Sequence, residues 1–290
     1  HDGFCNYDTR ETDLKITNPQ CPYSQTPHPD VTAELVKAFR AEGIEVGLYF
    51  SHIDWHHPDG VWNNSHVDYV PDFVEKHPER WANFVRFETN QVRELLTQYG
   101  EIDILWFDIS WPFAGYSKVV ENPIVRRDIF ELVKMAREIN PNIIINNRGT
   151  DIHGDFETPE QYIPDAPPQG WWETNMTISN AGGFWYKGPE AEYKPIAELI
   201  QKTADIAAKG GNFLLNVGPQ PDGRFTPQEI EALRGVGEWM KRNGEAIYGT
   251  FRSPWGAPPD WGRITRKGDT LYLIVFDWPE NQGEIALPLP

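Results

Sequence analysis

The side chains of this sequence that could attack carbon or move a proton stand mostly where apolar runs end. Asp108 closes the run Ile102-Asp103-Ile104-Leu105-Trp106-Phe107-Asp108. Entered from Gly100 and left through Ser110-Trp111-Pro112, that run reads as a buried strand. Side chains alternate across a strand, so Trp106 and Asp108 share a face. An aspartate at the carboxyl end of a parallel strand lies where α/β folds gather their active sites. Taken alone, a capping role for the next segment is the simpler explanation. Other polar residues take equivalent places: His1 and Asp2, Tyr49, Arg148, Glu173 and Asn216, with His52, His56, His57 and Glu160 in the intervening loops. Carboxylates and aromatic rings gathered at a barrel mouth suit glycoside hydrolysis. One carboxylate attacks the sugar carbon, and the other, kept protonated by burial or a neighbouring negative charge, protonates the leaving oxygen.

The elements that must position these groups alternate along the chain. Asp30 can cap a helix with the apolar stripe Val31, Leu35, Val36 and Phe39, ending at Gly43, and a strand Ile44–Phe50 follows. A helix carrying Val92, Leu95, Leu96 and Tyr99 stops at Gly100 before the Asp108 strand. A helix through Ile129, Leu132, Val133 and Ala136 leads into the strand Asn142–Arg148. Gly170–Thr174 reads as a further strand, the helix from Ile196 to Ala207 ends at Gly210-Gly211, and Asn212–Gly218 is the next strand. Thr226-Pro227-Gln228-Glu229 is a capping box with proline at the first helical position, opening a helix to about Gly244.

Strand ends at Phe4, Phe50, Asp108, Arg148, Thr174 and Val217 suit the last six strands of an eight-stranded βα barrel. No Gly-rich phosphate loop opens a helix, which disfavours the doubly wound alternative. The expected fold class is therefore α/β, a (β/α)8-type TIM-like barrel over residues 1–249 that lacks its first strands. From about Gly249 the texture changes. Arg263-Ile264-Thr265, the Lys267-Gly268-Asp269 turn and the run Leu271–Phe276 read as a hairpin opening a small C-terminal β domain over 250–290. His1-Asp2-Gly3-Phe4 reads as the middle of a domain, so the chain is expected to be a fragment, and its compartment stays open.

The formal net charge of −17 argues against nucleic acid or an anionic membrane as partner. The longest apolar run, Leu271–Phe276, is far too short to span a bilayer. Twelve Trp, eleven Tyr and fifteen Phe offer stacking surface for sugar rings as well as core material. With only Cys5 and Cys21, no disulfide framework is available, and two buried thiols are expected. The run His52-Ile53-Asp54-Trp55-His56-His57 has metal-like composition but lacks a helical i, i+4 frame. It reads as a loop rimming a sugar site, and neither metal nor cofactor is expected.

Several separated motifs resemble the α-L-fucosidases of glycoside hydrolase family 29. They are His1-Asp2-Gly3-Phe4, Gly47-Leu48-Tyr49-Phe50-Ser51, Trp106-Phe107-Asp108, Asn146-Asn147-Arg148 and Asp155-Phe156-Glu157-Thr158-Pro159-Glu160. Trp172-Glu173-Thr174, Asn212–Pro219 and Asn243–Tyr248 continue the match in order over most of the chain. The resemblance implies a retaining, exo-acting mechanism that releases terminal α-linked fucose from glycans through a covalent fucosyl-enzyme intermediate. It places the nucleophile on Asp108 and the acid/base on Glu160, with Glu173 and Glu157 as rivals for the acid. It places sugar contacts on His1, Tyr49, Trp106 and Arg148. The implied partner is a fucosylated oligosaccharide or glycoconjugate, and a homo-oligomer stays open. The alternatives are a non-catalytic glycan-binding barrel and a retaining glycosidase acting on a fucose-like sugar. One departure is Ile109, where the family usually has glycine after the nucleophile.

Overall fold

A computed structural model describes residues 1–60, 72–108, 122–148, 154–180, 182–278 and 284–287. It is an α/β structure in which parallel strands alternate with helices, and it divides into two compact units, His1–Phe156 and Glu157–Pro290.

In the first unit, β1 (Gly47–Ser51), β2 (Ile104–Asp108) and β3 (Ile144–Ile145) form a parallel sheet in the order β1-β2-β3. The helices are α1 (Val31–Ala41), α2 (Phe73–Lys76), α3 (Pro78–Gln98) and α4 (Pro123–Ile139). Helix α3 connects β1 to β2, and α4 connects β2 to β3, the crossovers that parallel pairing requires. Asp30 caps α1 through the Ala33 N–H, and Asn122 caps α4 through the Ile124 N–H. The core is a sandwich of strand residues Phe50, Leu105, Phe107 and Ile145 with Val92, Leu95 and Leu96 of α3 and Leu132, Val133 and Ala136 of α4. Burying each large apolar side chain contributes about 1.5–3 kcal/mol.

Three expectations change here. The α1 stripe is only partly covered: Val36 is buried, whereas Leu35 and Phe39 are exposed. Periodicity decides which side chains share a face and leaves open what covers that face. The strand expected over Asn142–Arg148 contracts to Ile144–Ile145, and Asn146 continues it only through a bridge to Phe156. At the chain's start the Phe4 strand end is reduced to a single bridge between Cys5 and Lys15.

In the second unit, β5 (Trp171–Thr177) pairs in parallel with β6 (Asn212–Asn216), and α5 (Ile196–Ala208) connects them. The short strand β4 (Phe156–Glu157), which falls at the division, is not among the strands read from the sequence. Helix α6 (Pro227–Asn243) starts with the capping box read from the sequence, complete in both directions between Thr226 and Glu229. Glu229 also accepts from the Gly218 N–H at 2.7 Å, so one carboxylate fixes both the helix start and the turn after β6. Gly211 lies so close to the Trp172 ring that a Cβ there would stand 2.4 Å from it, which explains the glycine after α5. β7 (Gly262–Lys267) and β8 (Thr270–Val275) form the expected antiparallel hairpin, with Gly268 at φ +57° in its turn. β5 runs three residues beyond the expected end at Thr174.

Among the described residues, no helix is long and apolar enough to cross a membrane. Cys5 and Cys21 are both free, but only Cys5 is buried. Cys21 is half-buried because it lies in a polar, proline-containing loop beside a single 3-10 turn, Pro22–Gln25. Burial pushes the Cys5 thiol up to about 11. A disulfide-exchange reagent at pH 8 is therefore expected to titrate Cys21 within minutes and Cys5 only after denaturant is added. Two equally fast equivalents from the native protein would contradict this.

Candidate active site

The first unit brings five of the sequence-derived residues into one cluster at the carboxyl end of its sheet. The β1–β2 register sets Tyr49 opposite Trp106 and Ser51 opposite Asp108. Alternation places Tyr49 and Ser51 on the same face as Trp106 and Asp108. The Asp108 carboxylate is buried and accepts at both oxygens. Tyr49 Oη donates to Oδ2 at 2.7 Å, and Arg148 Nη1 donates to Oδ1 at 2.9 Å. An ionised carboxylate is acceptor-only, and two donors on separate oxygens fix its rotation. The Arg148 guanidinium also lies 4.4 Å from the Trp106 ring centre, and the Tyr49 ring stacks on Trp106 at 5.6 Å with planes 22° apart. Loss of water around its hydroxyl, with the Asp108 carboxylate adding to it, raises the Tyr49 phenol well above its usual range. Tyr49 therefore stays a proton donor over any working pH.

His1 belongs to the same cluster. Its Nε2 lies 3.6 Å from Asp108 Oδ2, and its Nδ1 contacts Ser51 Oγ. Its carbonyl accepts from the Trp55 N–H at 2.9 Å, and its ring meets Trp55 edge-on, so the first residue is tied down. Gly3 permits this path: it sits at φ +75°, and a Cβ there would collide with Asp54 Oδ1 at 2.5 Å.

Asn146, which the motif reading gave no separate role, is fully buried and clamps β2. Its Oδ1 accepts from the Phe107 N–H, and its Nδ2 donates to the Phe107 carbonyl, each at 2.8 Å. The side chain thereby replaces the ladder bonds that the short β3 cannot supply. An alanine here leaves two buried backbone groups unpaired, so Asn146→Ala is expected to destabilise the fold by about 3 kcal/mol in denaturant titration. A loss below about 0.5 kcal/mol would remove the clamp from the account.

The histidines of the expected rim go separate ways. His56 is exposed, His57 packs on Phe84 and Phe87, and His52 is buried on Phe107. Burial lowers the His57 imidazole below its usual range. Among the described residues, no group of three or more His, Cys, Asp or Glu side chains is arranged to hold a metal ion. Ile109 lies outside the described residues.

The three candidate acids belong to the second unit. Glu160 is half-buried and bridges Asn175 of β5. Its neighbours pin it there: Asn175 N–H donates to the Pro159 carbonyl, and Gln161 N–H donates to the Asn175 carbonyl. Gln161 adopts φ +63°, and its Oε1 accepts from the Thr177 N–H. Glu157 is exposed. Glu173 pairs with Asn212, the first residue of β6, four residues before the end of β5. It therefore does not close its strand, and the reading that made it a rigid strand-end acid loses its basis. Sequence reasoning also passed over Trp185. It is 63% exposed, with Lys187 Nζ 3.9 Å from its ring centre, and both line a small cavity with Thr177 and Asn216, the last residues of β5 and β6. The signal was available as an aromatic residue in the loop after a strand.

A family model described as alpha-L-fucosidase matches residues 1–245. The alpha-L-fucosidase of Branchiostoma floridae is 29% identical over 305 residues, which cover 100% of this chain and 62% of that protein. The tissue alpha-L-fucosidase of Homo sapiens is 28% identical over 275 residues, covering 91% of this chain and 54% of that protein. Among solved structures, alpha-L-fucosidase isoenzyme 1 from Paenibacillus thiaminolyticus superposes with a TM-score of 0.77 at 34% identity, covering 97% of this chain and 66% of that one. A GH29 alpha-L-fucosidase from Bacteroides thetaiotaomicron, a trapped covalent intermediate in complex with 2-fluoro-fucosyl fluoride, gives 0.79 at 29% identity, covering 96% and 64%. The chain thus spans between about half and two thirds of the length of these proteins.

Proposed function

Since this chain belongs to the alpha-L-fucosidase family, we propose that it carries the catalytic centre of a retaining α-L-fucosidase. One observation carries the reading: a buried carboxylate at a strand's carboxyl end is gripped by Tyr49 and Arg148 beside an aromatic wall. That arrangement aims a fixed nucleophile and offers donors and an apolar surface to a deoxy sugar. The relative trapped as a covalent intermediate supports a two-step course.

In the first step an Asp108 oxygen bonds to the anomeric carbon of an α-L-fucoside. The glycosidic bond breaks, and the Glu160 proton goes to the departing oxygen. In the second step Glu160 takes a proton from water, whose oxygen attacks the same carbon and releases Asp108. Two inversions give net retention. His1 and Arg148 suit sugar hydroxyls, and Trp106 and Tyr49 suit its apolar face. Neither cofactor nor metal takes part.

The finer architecture follows the same reading. Residues 1–249 form part of a (β/α)8 barrel, whose strand ends present the site, and residues 250–290 begin a β-sandwich domain. The partner is a fucosylated oligosaccharide or glycoconjugate.

The test is hydrolysis of an aryl α-L-fucoside by the full protein, followed by NMR of the first-formed sugar. Release of the α-anomer supports the reading. Binding of fucosides by a folded protein that never turns them over would favour a glycan-binding barrel, and preference for another glycoside would redirect the specificity.

A further inference from the structure

Behind the Asp108 cluster lies a buried polar pair that the two-step course leaves without a task. His52 directly follows β1 and is 3% exposed. Its backbone N–H donates to the Asp108 carbonyl at 3.2 Å, one step beyond the Ser51–Asp108 register. Its ring lies flat against Phe107, with centres 4.5 Å apart and planes at 16°, and meets Phe50 edge-on. Its Nδ1 stands 3.4 Å from Oε1 of Glu88, a residue of α3 that is 7% exposed. Among the described residues, neither imidazole nitrogen nor Glu88 Oε1 makes a hydrogen bond of ordinary geometry. The ion-pair approach is therefore what offsets their burial.

A core does not need such a pair. Two ionisable groups lose their hydration on burial, and apolar side chains of similar volume commonly fill such a space with equal or greater stability. Burial raises the Glu88 carboxyl above its usual range; His52 opposes that shift and Asp54 reinforces it.

We propose that His52 and Glu88 are positioning residues for the attacking carboxylate. Glu88 anchors the imidazole to α3, and His52 in turn holds the carboxyl end of β2 through its main-chain N–H on the Asp108 carbonyl and its ring on Phe107. Tyr49 and Arg148 set the carboxylate from the front, while this pair sets its backbone from behind. The inference rests on Asp108 being the nucleophile. Displacement at carbon tolerates little misplacement, and an error of about 1 Å can cost roughly 100-fold in rate.

The test compares the full protein with Glu88→Gln, with the double variant His52→Phe/Glu88→Leu, and with Asp108→Asn, on an aryl α-L-fucoside. The double variant keeps an aromatic ring on Phe107 and removes the polar link. It is expected to melt at or above the parent temperature while kcat falls roughly ten- to a hundredfold and KM stays within about twofold. A folded double variant with parental kcat overturns the proposal, as does a loss confined to KM. If the double variant does not fold, the nearly isosteric Glu88→Gln decides by the same criterion. Inactive Asp108→Asn beside fully active pair variants sinks the positioning role alone. An active Asp108→Asn, or a folded parent that does not turn over, sinks the nucleophile reading and the positioning role together.

Discussion

Asp108→Asn is expected to lower kcat on an aryl α-L-fucoside by roughly 10⁴-fold or more while the protein stays folded. Asparagine keeps the shape and can still accept from Arg148, but its neutral oxygen does not form the ester to the sugar carbon. A 10⁴-fold loss corresponds to about 5.4 kcal/mol at 1.36 kcal/mol per decade, more than one lost hydrogen bond supplies. The geometry sharpens the expectation: Tyr49 and Arg148 each hold one carboxylate oxygen and so fix the rotation of the side chain. Azide separates the nucleophile from a merely structural aspartate. With Asp108→Gly, azide fills the vacated space and attacks the α-fucoside once, so the product is the β-fucosyl azide. Recovery of the α-azide, or parental activity in Asp108→Asn, would remove Asp108 from the reaction.

The second large effect is expected at Glu160 and depends on the leaving group. Glu160→Ala removes the proton donor, so a fucoside with a poor leaving oxygen should lose about 10²–10⁴-fold in kcat/KM. A dinitrophenyl fucoside departs without a proton and should retain near-parental kcat/KM. Its slow step becomes hydrolysis of the fucosyl-enzyme, visible as a burst. Azide then attacks that intermediate and yields the α-fucosyl azide, opposite in configuration to the Asp108→Gly product. The same series on Glu157→Ala and Glu173→Ala should show no leaving-group dependence. Structure favours this order. Glu160 is held by main-chain pairing on both sides, Glu157 is exposed, and Glu173 lies four residues short of its strand's end. If the dinitrophenyl and alkyl fucosides slow equally in Glu160→Ala while Glu173→Ala shows the split, the acid is Glu173.

How much of this was legible in the sequence depends on the range of the interaction concerned. Helix starts were readable because a cap is local: Asp30 and the Thr226–Glu229 box bond within three residues, as expected. The strand bearing Asp108 was readable because period-two alternation and an apolar run identify a buried strand. The Gly268 turn followed from its neighbours. The motif residues His1, Tyr49, Trp106, Asp108 and Arg148 could be named, and their residue types suit the chemistry expected of them.

Strand ends were less legible, because pairing partners set them. β5 continues to Thr177 since β6 pairs with it up to Asn216, and that extension moved Glu173 away from the strand end. β3 spans only two residues, and beyond it the Asn146 side chain takes over the bonds to Phe107. Neither outcome is written in a local window.

The sequence by itself determined the alternation of strands and helices, the family motifs and the face on which Asp108 and Trp106 lie. Only the tertiary structure decided which groups grip Asp108. Those contacts join residues 40 and 59 positions apart for Arg148 and Tyr49, and they exist only once β1, β2 and β3 are in register. It also decided that His52 and Glu88 meet in the core, where neither motif nor period pointed. The physical reason is that propensity and capping act within a few residues. The burial that gives a carboxylate its partners is a property of packed elements far apart in the chain.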